Sequence, residues 1–325
     1  MSRVGADPAP GWTLTNWKSG LSPHLRAARR HKSGAGTRFR EPNIVFVIDR
    51  TADQKTVFFI MDCRTGFLGI DDPDEPIYRI FPLWFFEETL RVGNLVLVPP
   101  ERWEDPFEVL PSRVIMERPK PYEQKPLETF LKPAYAQCWS RTKESDTLLR
   151  AYSRVVKDPH HRRNTLPREE GVVVRSTPRK LLSAMQDWAR SRPAMSCFIG
   201  AVRYKSSDAI RQYLTDRISQ YGPGAVGRGQ LRAELLLLKR QMFSHEAEVR
   251  MICVCDLREQ PLMQIPVDPS SIFDEVTFDP RLETFEQRER EAVARSLNYK
   301  GPVRRSDWYT VILLQVILPN GWKED

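Results

Sequence analysis

No stretch of this chain is apolar for the roughly 20 residues that a bilayer crossing takes. The longest apolar runs, near Ile44–Ile48 and Val311–Leu318, have the length of strands. The basic residues near the N-terminus are followed by no apolar segment, so no secretory signal is expected. Cysteine is scarce: Cys63, Cys138, Cys197, Cys253 and Cys255 are odd in number, scattered, and form no CxxC pair. That usage fits reduced thiols rather than a disulfide framework. A cytoplasmic protein without membrane contact is the expectation.

The chain also has no phosphate-cradling glycine loop, no Ser-His-Asp ordering and no zinc-ligand spacing. Cys253-x-Cys255 fits a packed strand, and adjacent His160 and His161 give little support for a ligand pair. The acidic stretch Asp71–Pro76 lacks the glycine and terminal glutamate of a calcium loop. No metal is expected.

The composition that remains, 41% hydrophobic and 28% charged over 325 residues, is that of an ordinary globular protein. Its net charge of +8 is unevenly placed. Residues 1–40 hold eight Lys/Arg and one acid, Asp7, leaving the other 285 residues almost neutral. This argues against a folded basic groove. It leaves a basic, mostly disordered arm over 1–40 that could contact nucleic acid.

Two β-rich runs, Asn43–Asp49 and Lys55–Asp62, predict a hairpin, and an acidic linker completes a segment over 41–76. Residues 77–325 form the main domain. Strands are expected at Ile77–Phe81, Leu95–Val98, Tyr135–Ser140, Gly171–Arg175, Ser196–Tyr204, Leu262–Ile265, Ile272–Phe278 and Thr310–Leu318. Helices are expected from Pro82 to Arg91, Glu144 to Arg154, Thr177 to Arg190 and Ser207 to Tyr221. Two more are expected at Gln230–Phe243 and Leu282–Leu297. Residues 112–133 read as an irregular, proline-rich crossing, and 157–170 as a basic, solvent-facing loop. The fold class is α/β (α+β): a mixed, mostly antiparallel central sheet with flanking helices.

The run from Glu246 alternates with period two. Glu246, Glu248 and Arg250 share one face; Ala247, Val249 and Met251 share the other. Such a strand is either a solvated ladder of ion pairs or one wall of a cleft.

Several short motifs occur in order. They are Tyr78-Arg79-Ile80-Phe81, Trp103-Glu104-Asp105-Pro106-Phe107-Glu108, Cys138-Trp139-Ser140 and Leu149-Arg150-Ala151-Tyr152. Gly171–Val174, Val202-Arg203-Tyr204 and Lys239-Arg240 with Phe243-x-x-Glu246-x-Glu248-x-Arg250 follow, then Ile272-x-Asp274-Glu275-Val276. The combination resembles the bacterial family known as domain of unknown function 2971 over about residues 77–318. The family's usual "NDPFE" stands here as Glu104–Glu108, and Leu149 replaces its usual Trp. The resemblance implies no activity. It suggests a toxin or defence setting by family type alone.

A second resemblance is one of pattern. ADP-ribosyltransferases of the Arg-Ser-Glu class carry an Arg on a first strand, a Ser on a middle strand and Glu-x-Glu at a later one. Arg79, Ser140 and Glu246-x-Glu248 are similar in order and placement, although no Ser-Thr-Ser run surrounds Ser140. The resemblance implies a split sheet and an enzyme that cleaves NAD at the nicotinamide–ribose bond to modify a protein or nucleic-acid acceptor. Under it, Glu248 grips the ribose, Glu246 activates the acceptor and Ser140 orients the carboxylate. Arg79 holds the pyrophosphate beside Tyr78, and Trp139 or Tyr152 shelters the ring. The chemistry is reasonable, because a carboxylate stabilises oxocarbenium charge and a guanidinium grips phosphate at two points.

Other readings stay open. Arg79 could pair with an acid across the sheet and Ser140 could close a turn. The Glu/Arg face could form surface pairs, each under roughly 1 kcal/mol. A non-enzymatic module could bind nucleic acid or protein through the arm and the basic loop. A metal-dependent nuclease could use Asp105, Glu108, Glu246 and Glu248 with Lys239, if those carboxylates converge.

Overall fold

The computed structural model of the chain describes residues 44–48, 57–61 and 65–309, apart from 104, 106, 109–112, 120–121, 193 and 257–259, together with 315 and 317. The chain divides into two compact units, Met1–Glu41 and Pro42–Asp325. The first unit, which holds the expected arm, lies outside the described residues, as does most of the strand expected over 310–318.

Strands β1 (Ile44–Ile48) and β2 (Val57–Met61) pair antiparallel, as their β-branched and aromatic content suggests. β3 (Thr65–Leu68) and β4 (Ile77–Pro82) precede helix α1 (Leu83–Val92) and β5 (Asn94–Leu97). Gly93 ends α1 in the left-handed region, at φ 71°, and its N–H bonds the Thr89 carbonyl. β6 (Ile115–Pro119) and β7 (Tyr122–Pro126) form a small hairpin where the sequence suggested an irregular crossing. β8 (Ala134–Ser140) then leads to α2 (Asp146–Tyr152), capped by the Ser145 hydroxyl, which accepts from Leu148 N.

β9 (Gly171–Ser176) is followed by α3 (Pro178–Ala189), whose Thr177 cap and first-turn proline are the expected start signals. Next come β10 (Met195–Ala201), β11 (Arg203–Lys205), α4 (Ser207–Tyr221), α5 (Pro223–Val226) and α6 (Gly229–Leu235). β12 (Leu238–Arg240) and a 3-10 turn over Gln241–Glu246 lead into β13 (Glu248–Cys255). The remainder is β14 (Met263–Pro266), α7 (Pro269–Ile272), β15 (Glu275–Phe278), α8 (Thr284–Ser296) and β16 (Val303–Arg304).

Among the described residues, eight strands form the main sheet in the order β16-β15-β9-β4-β8-β13-β10-β3. All neighbours are antiparallel except the two edge pairs, β15–β16 and β10–β3. The mixed, mostly antiparallel sheet with flanking helices is thus the observed class. Residues 65–68, placed by sequence before the main domain, supply one edge of that sheet.

Alternation divides the sheet's side chains between two apolar layers. Val249, Met251 and Cys253 of β13 join Ile77, Phe81, Val172, Val174 and α3's Leu181, Leu182 and Met185 in the larger one. Ile252 and Val254 face the other way, with Ala134, Ala136, Phe198, Ala233 of α6 and Leu236 just beyond it. Gly200 is required where Leu237 crosses β10, since a Cβ there would lie 2.4 Å from Leu237 Cδ1.

Two local expectations are corrected here. The apolar run 230–243 is no continuous helix: α6 ends at Leu235, and Leu238–Arg240 pairs parallel with β11. Glu246 is not in the strand either. It ends the 3-10 turn, and Ala247, at φ 43°, makes the left-handed step into β13.

The loop 157–170 is pinned rather than free. Asn164 bonds Val156 N and the Glu170 carboxylate, Lys157 pairs with Glu286, Arg163 with Glu289 and Arg168 with Glu87. Its basic residues are largely matched by acids, which weakens it as a basic binding surface.

Candidate active site

β4 runs along β9 for its whole length, and β8 runs along β13 for all but its last partner position. Between them, β4 and β8 share one register pair among the described residues, Tyr78 opposite Ser140. Further along β8, Ala136 exchanges both backbone hydrogen bonds with Val98 at 2.8–2.9 Å. The sheet is therefore split at its centre. A cavity of about 640 Å³ opens there, in the roughly 300–1,000 Å³ range of small-molecule sites. Its walls include Tyr78, Arg79, Trp139, Ser140, Tyr152, Glu246 and Glu248, together with Trp103, Asp105, Glu108, Lys239, Arg240 and Phe243.

All seven residues singled out from sequence therefore border one concavity. Ser140 Oγ donates to the Glu246 carbonyl at 2.7 Å and accepts from Thr142 N at 2.9 Å. It fastens the turn that carries Glu246. Tyr152 stands on α2 beside the cavity and is 56% exposed. Trp139 is placed differently: only 2% exposed, it packs in the larger apolar layer and donates its indole N–H to Gln137 Oε1 at 3.0 Å. Of the two aromatics considered for sheltering a ring, Tyr152 is the accessible one.

Arg79 leans across the split. Its Nη1 donates to the Cys138 carbonyl and its guanidinium lies 4.9 Å from the Phe81 ring centroid. Burial lowers its pKa from the ordinary arginine value, which still leaves it charged. Among the described residues no carboxylate pairs with it, and its buried Nε has no hydrogen-bond partner. A guanidinium with an unmet donor beside a cavity has the chemistry to take an anion.

The acidic wall is a network that the sequence did not reveal in full. Arg250, 0% exposed, donates from Nε to Glu248 Oε2 at 2.7 Å, from Nη1 to the Leu236 carbonyl at 2.7 Å and from Nη2 to Glu108. Lys239 Nζ lies 2.6 Å from Glu246 Oε2 and 3.2 Å from Glu108 Oε1, and also donates to Glu248. The Glu248 backbone N–H donates to the Tyr204 hydroxyl at 2.8 Å. Trp103 covers the Arg250 guanidinium, 4.3 Å from ring centroid to Cζ. The groups expected as a surface ion-pair ladder are instead hydrogen-bonded inside the protein, with Glu248 and Arg250 buried and Glu246 half-buried.

The electrostatics separate the two glutamates. Burial pushes Glu248 up, but the Arg250 guanidinium and the hydrogen bonds from Glu246 and Arg250 hold it well below the usual carboxylate range. Burial and the neighbouring Glu248 raise Glu246 to about 7, against the pull of Lys239. One carboxylate is held ionised while its neighbour can hold a proton near neutrality, the division of roles that acid–base sites exploit. Burial pushes the Cys138 thiol up to about 12, so it is no nucleophile at neutral pH.

The carboxylates demanded by a metal-dependent nuclease do converge. However, Lys239 and Arg250 stand between Glu108, Glu246 and Glu248, while Arg240 pairs with Asp105 at 3.0 Å. Among the described residues, no group of three or more His, Cys, Asp or Glu is arranged to hold a metal ion. No described helix is long and apolar enough to cross a membrane.

No protein-family model matches the chain, so the resemblance to domain of unknown function 2971 gains no support from that comparison. No curated protein matches it either. Three solved structures of DarT from Thermus sp. 2.9 are loosely similar. The one in complex with ADP-ribosylated ssDNA has 10% identity, spans 74% of this chain and 98% of that one, and gives a TM-score of 0.32. The complex with carba-NAD+ has 12% identity, 74% and 100% coverage and a TM-score of 0.30. The complex with NAD+ has 13% identity, 73% and 98% coverage and a TM-score of 0.29. Likeness at that level supports no residue assignment.

Proposed function

We propose that this chain is an ADP-ribosyltransferase-like enzyme that cleaves NAD at the nicotinamide–ribose bond and transfers ADP-ribose to a macromolecular acceptor. The observation that carries the reading is the convergence of an unmatched guanidinium, Arg79, and an ionised carboxylate, Glu248, on one cavity at the split of the sheet. A dinucleotide offers Arg79 a pyrophosphate, and it sets beside Glu248 a ribose that gains positive charge as its bond to nicotinamide breaks.

In this mechanism the C1′–N bond breaks and nicotinamide departs with the electron pair. Glu248 stabilises the oxocarbenium character left on the ribose, held in one orientation by Lys239 and Arg250. An acceptor nucleophile then adds to C1′, and its proton passes to Glu246. Ser140 positions Glu246 through the backbone. Tyr152 offers an accessible ring face at the rim.

The test is release of nicotinamide from labelled NAD by the full chain, with protein and nucleic-acid acceptors supplied separately. Release that disappears in Glu248→Gln, while the variant keeps its circular-dichroism melt, supports the assignment. Undiminished release by that variant, or none by the unaltered protein with any acceptor, rejects it.

A further inference from the structure

Among the described residues, three buried side-chain atoms have no hydrogen-bond partner: Arg79 Nε, Asp105 Oδ2 and Arg240 Nε. All three residues line the same cavity. Arg79 suits an anion; the other two form a different kind of receptor. Asp105 Oδ1 accepts from Phe107 N at 3.0 Å and from Arg240 Nη2 at 3.0 Å. The Asp105 side chain is 7% exposed, so its second oxygen has little water to turn to. The pair is made at one point where a fork and a carboxylate could make two, leaving one acceptor and one donor unused. Arg240 lies 4.3 Å from the Phe107 centroid and 5.2 Å from that of Phe243, which limits its freedom to swing away.

Buried polar atoms left unpaired are costly, and a bound water, ion or ligand group that pairs with them relieves that cost. We infer that Asp105 and Arg240 recognise a neutral amide-type edge of the bound ligand, an N–H beside an oxygen or nitrogen acceptor. The ligand N–H donates to Asp105 Oδ2, and its acceptor atom accepts a hydrogen bond from Arg240 Nε–H. A bare carboxylate at that edge offers no donor and meets Asp105 with like charge, so the site discriminates against it. This rests on the NAD reading above. Within NAD two groups carry such an edge, the nicotinamide carboxamide and the N6/N1 edge of adenine.

The experiment is calorimetric titration of the full chain with three dinucleotides: NAD, its nicotinic acid analogue, and its hypoxanthine analogue. The unaltered protein is compared with Asp105→Asn and Arg240→Gln. A preference of roughly tenfold or more for NAD over the acid analogue, reduced severalfold in either variant, supports the inference and assigns the carboxamide. The same behaviour toward the hypoxanthine analogue supports it and assigns the adenine edge, since hypoxanthine exchanges donor and acceptor. Binding of NAD with no discrimination by the unaltered protein, or discrimination that both variants retain, overturns the inference and leaves the NAD reading standing. Failure of the unaltered protein to bind NAD overturns both.

Discussion

Tyr78 of β4 faces Ser140 of β8 in the one register pair those strands share among the described residues, and beyond that pair they part. Ser140 thus sits where the sheet stops being continuous. Its hydroxyl joins β8 to the turn carrying Glu246. Ser140→Ala removes a donor to the Glu246 carbonyl and an acceptor for Thr142 N, which costs about 1–2 kcal/mol of stability. On the proposed mechanism the Glu246–Glu248 turn also loosens. Nicotinamide release is expected to slow by roughly 10- to 100-fold, with the Michaelis constant for NAD little changed. Steady-state kinetics beside a thermal melt checks both. A large change in the Michaelis constant at constant turnover would mean that Ser140 binds substrate instead of positioning the acid.

The unequal titration of Glu246 and Glu248 gives a pH signature. Glu248 stays ionised through the neutral range, whereas Glu246 is raised to about 7 by burial and by its neighbour. If Glu246 takes the acceptor's proton, transfer rises with pH below about 7 and levels off above it. Glu246→Gln should flatten that limb and lower the plateau. Stability carries the opposite sign. A carboxyl whose folded-state pKa lies above its ordinary value binds extra protons when folded, so its contribution to stability declines as pH rises from the ordinary value through about 7. Glu246→Gln should therefore melt higher than the unaltered protein at pH 8, with the gap closing toward pH 5. A variant that melts lower at pH 8 and keeps the original rate profile would remove Glu246 from this role.

How much of this site was visible in the sequence depends on how local each signal is. Arg79, Ser140 and Glu248 stand out because alternation and chain order are properties of short stretches. Asp105 stands before a proline in the sequence, and its carboxylate accepts from Phe107 N, an equally local arrangement. The setting of Lys239 is less local. The run Leu235–Leu238 favours a helix on apolar content alone, and the break after Leu235 comes from packing against the sheet, where Leu237 passes over Gly200. Arg250 shares a strand face with Glu248, as the alternation predicts. Its full burial arises because Trp103 and Glu108, more than 140 residues away in sequence, come to lie on it. Fold class follows from summed periodicities. Which charges are buried follows from long-range packing, and no short window contains it.

Arg79 provides the sharpest separation of a functional from a structural role. A half-buried guanidinium without a carboxylate is a liability to the fold, set against one hydrogen bond to the Cys138 carbonyl and its contact with Phe81. Arg79→Met keeps an unbranched side chain of similar reach and removes the desolvated charge. Its melting temperature is expected to equal or exceed that of the unaltered protein, the stability–function conflict typical of binding residues. Affinity for NAD should fall by roughly 100-fold or more, as expected when a buried charged contact to phosphate is lost. Free pyrophosphate is expected to compete with NAD for the unaltered protein and to lose that effect on the variant. A variant that melts several degrees lower yet binds NAD unchanged would make Arg79 a brace across the split sheet, and the anion site would have to be sought elsewhere in the cavity.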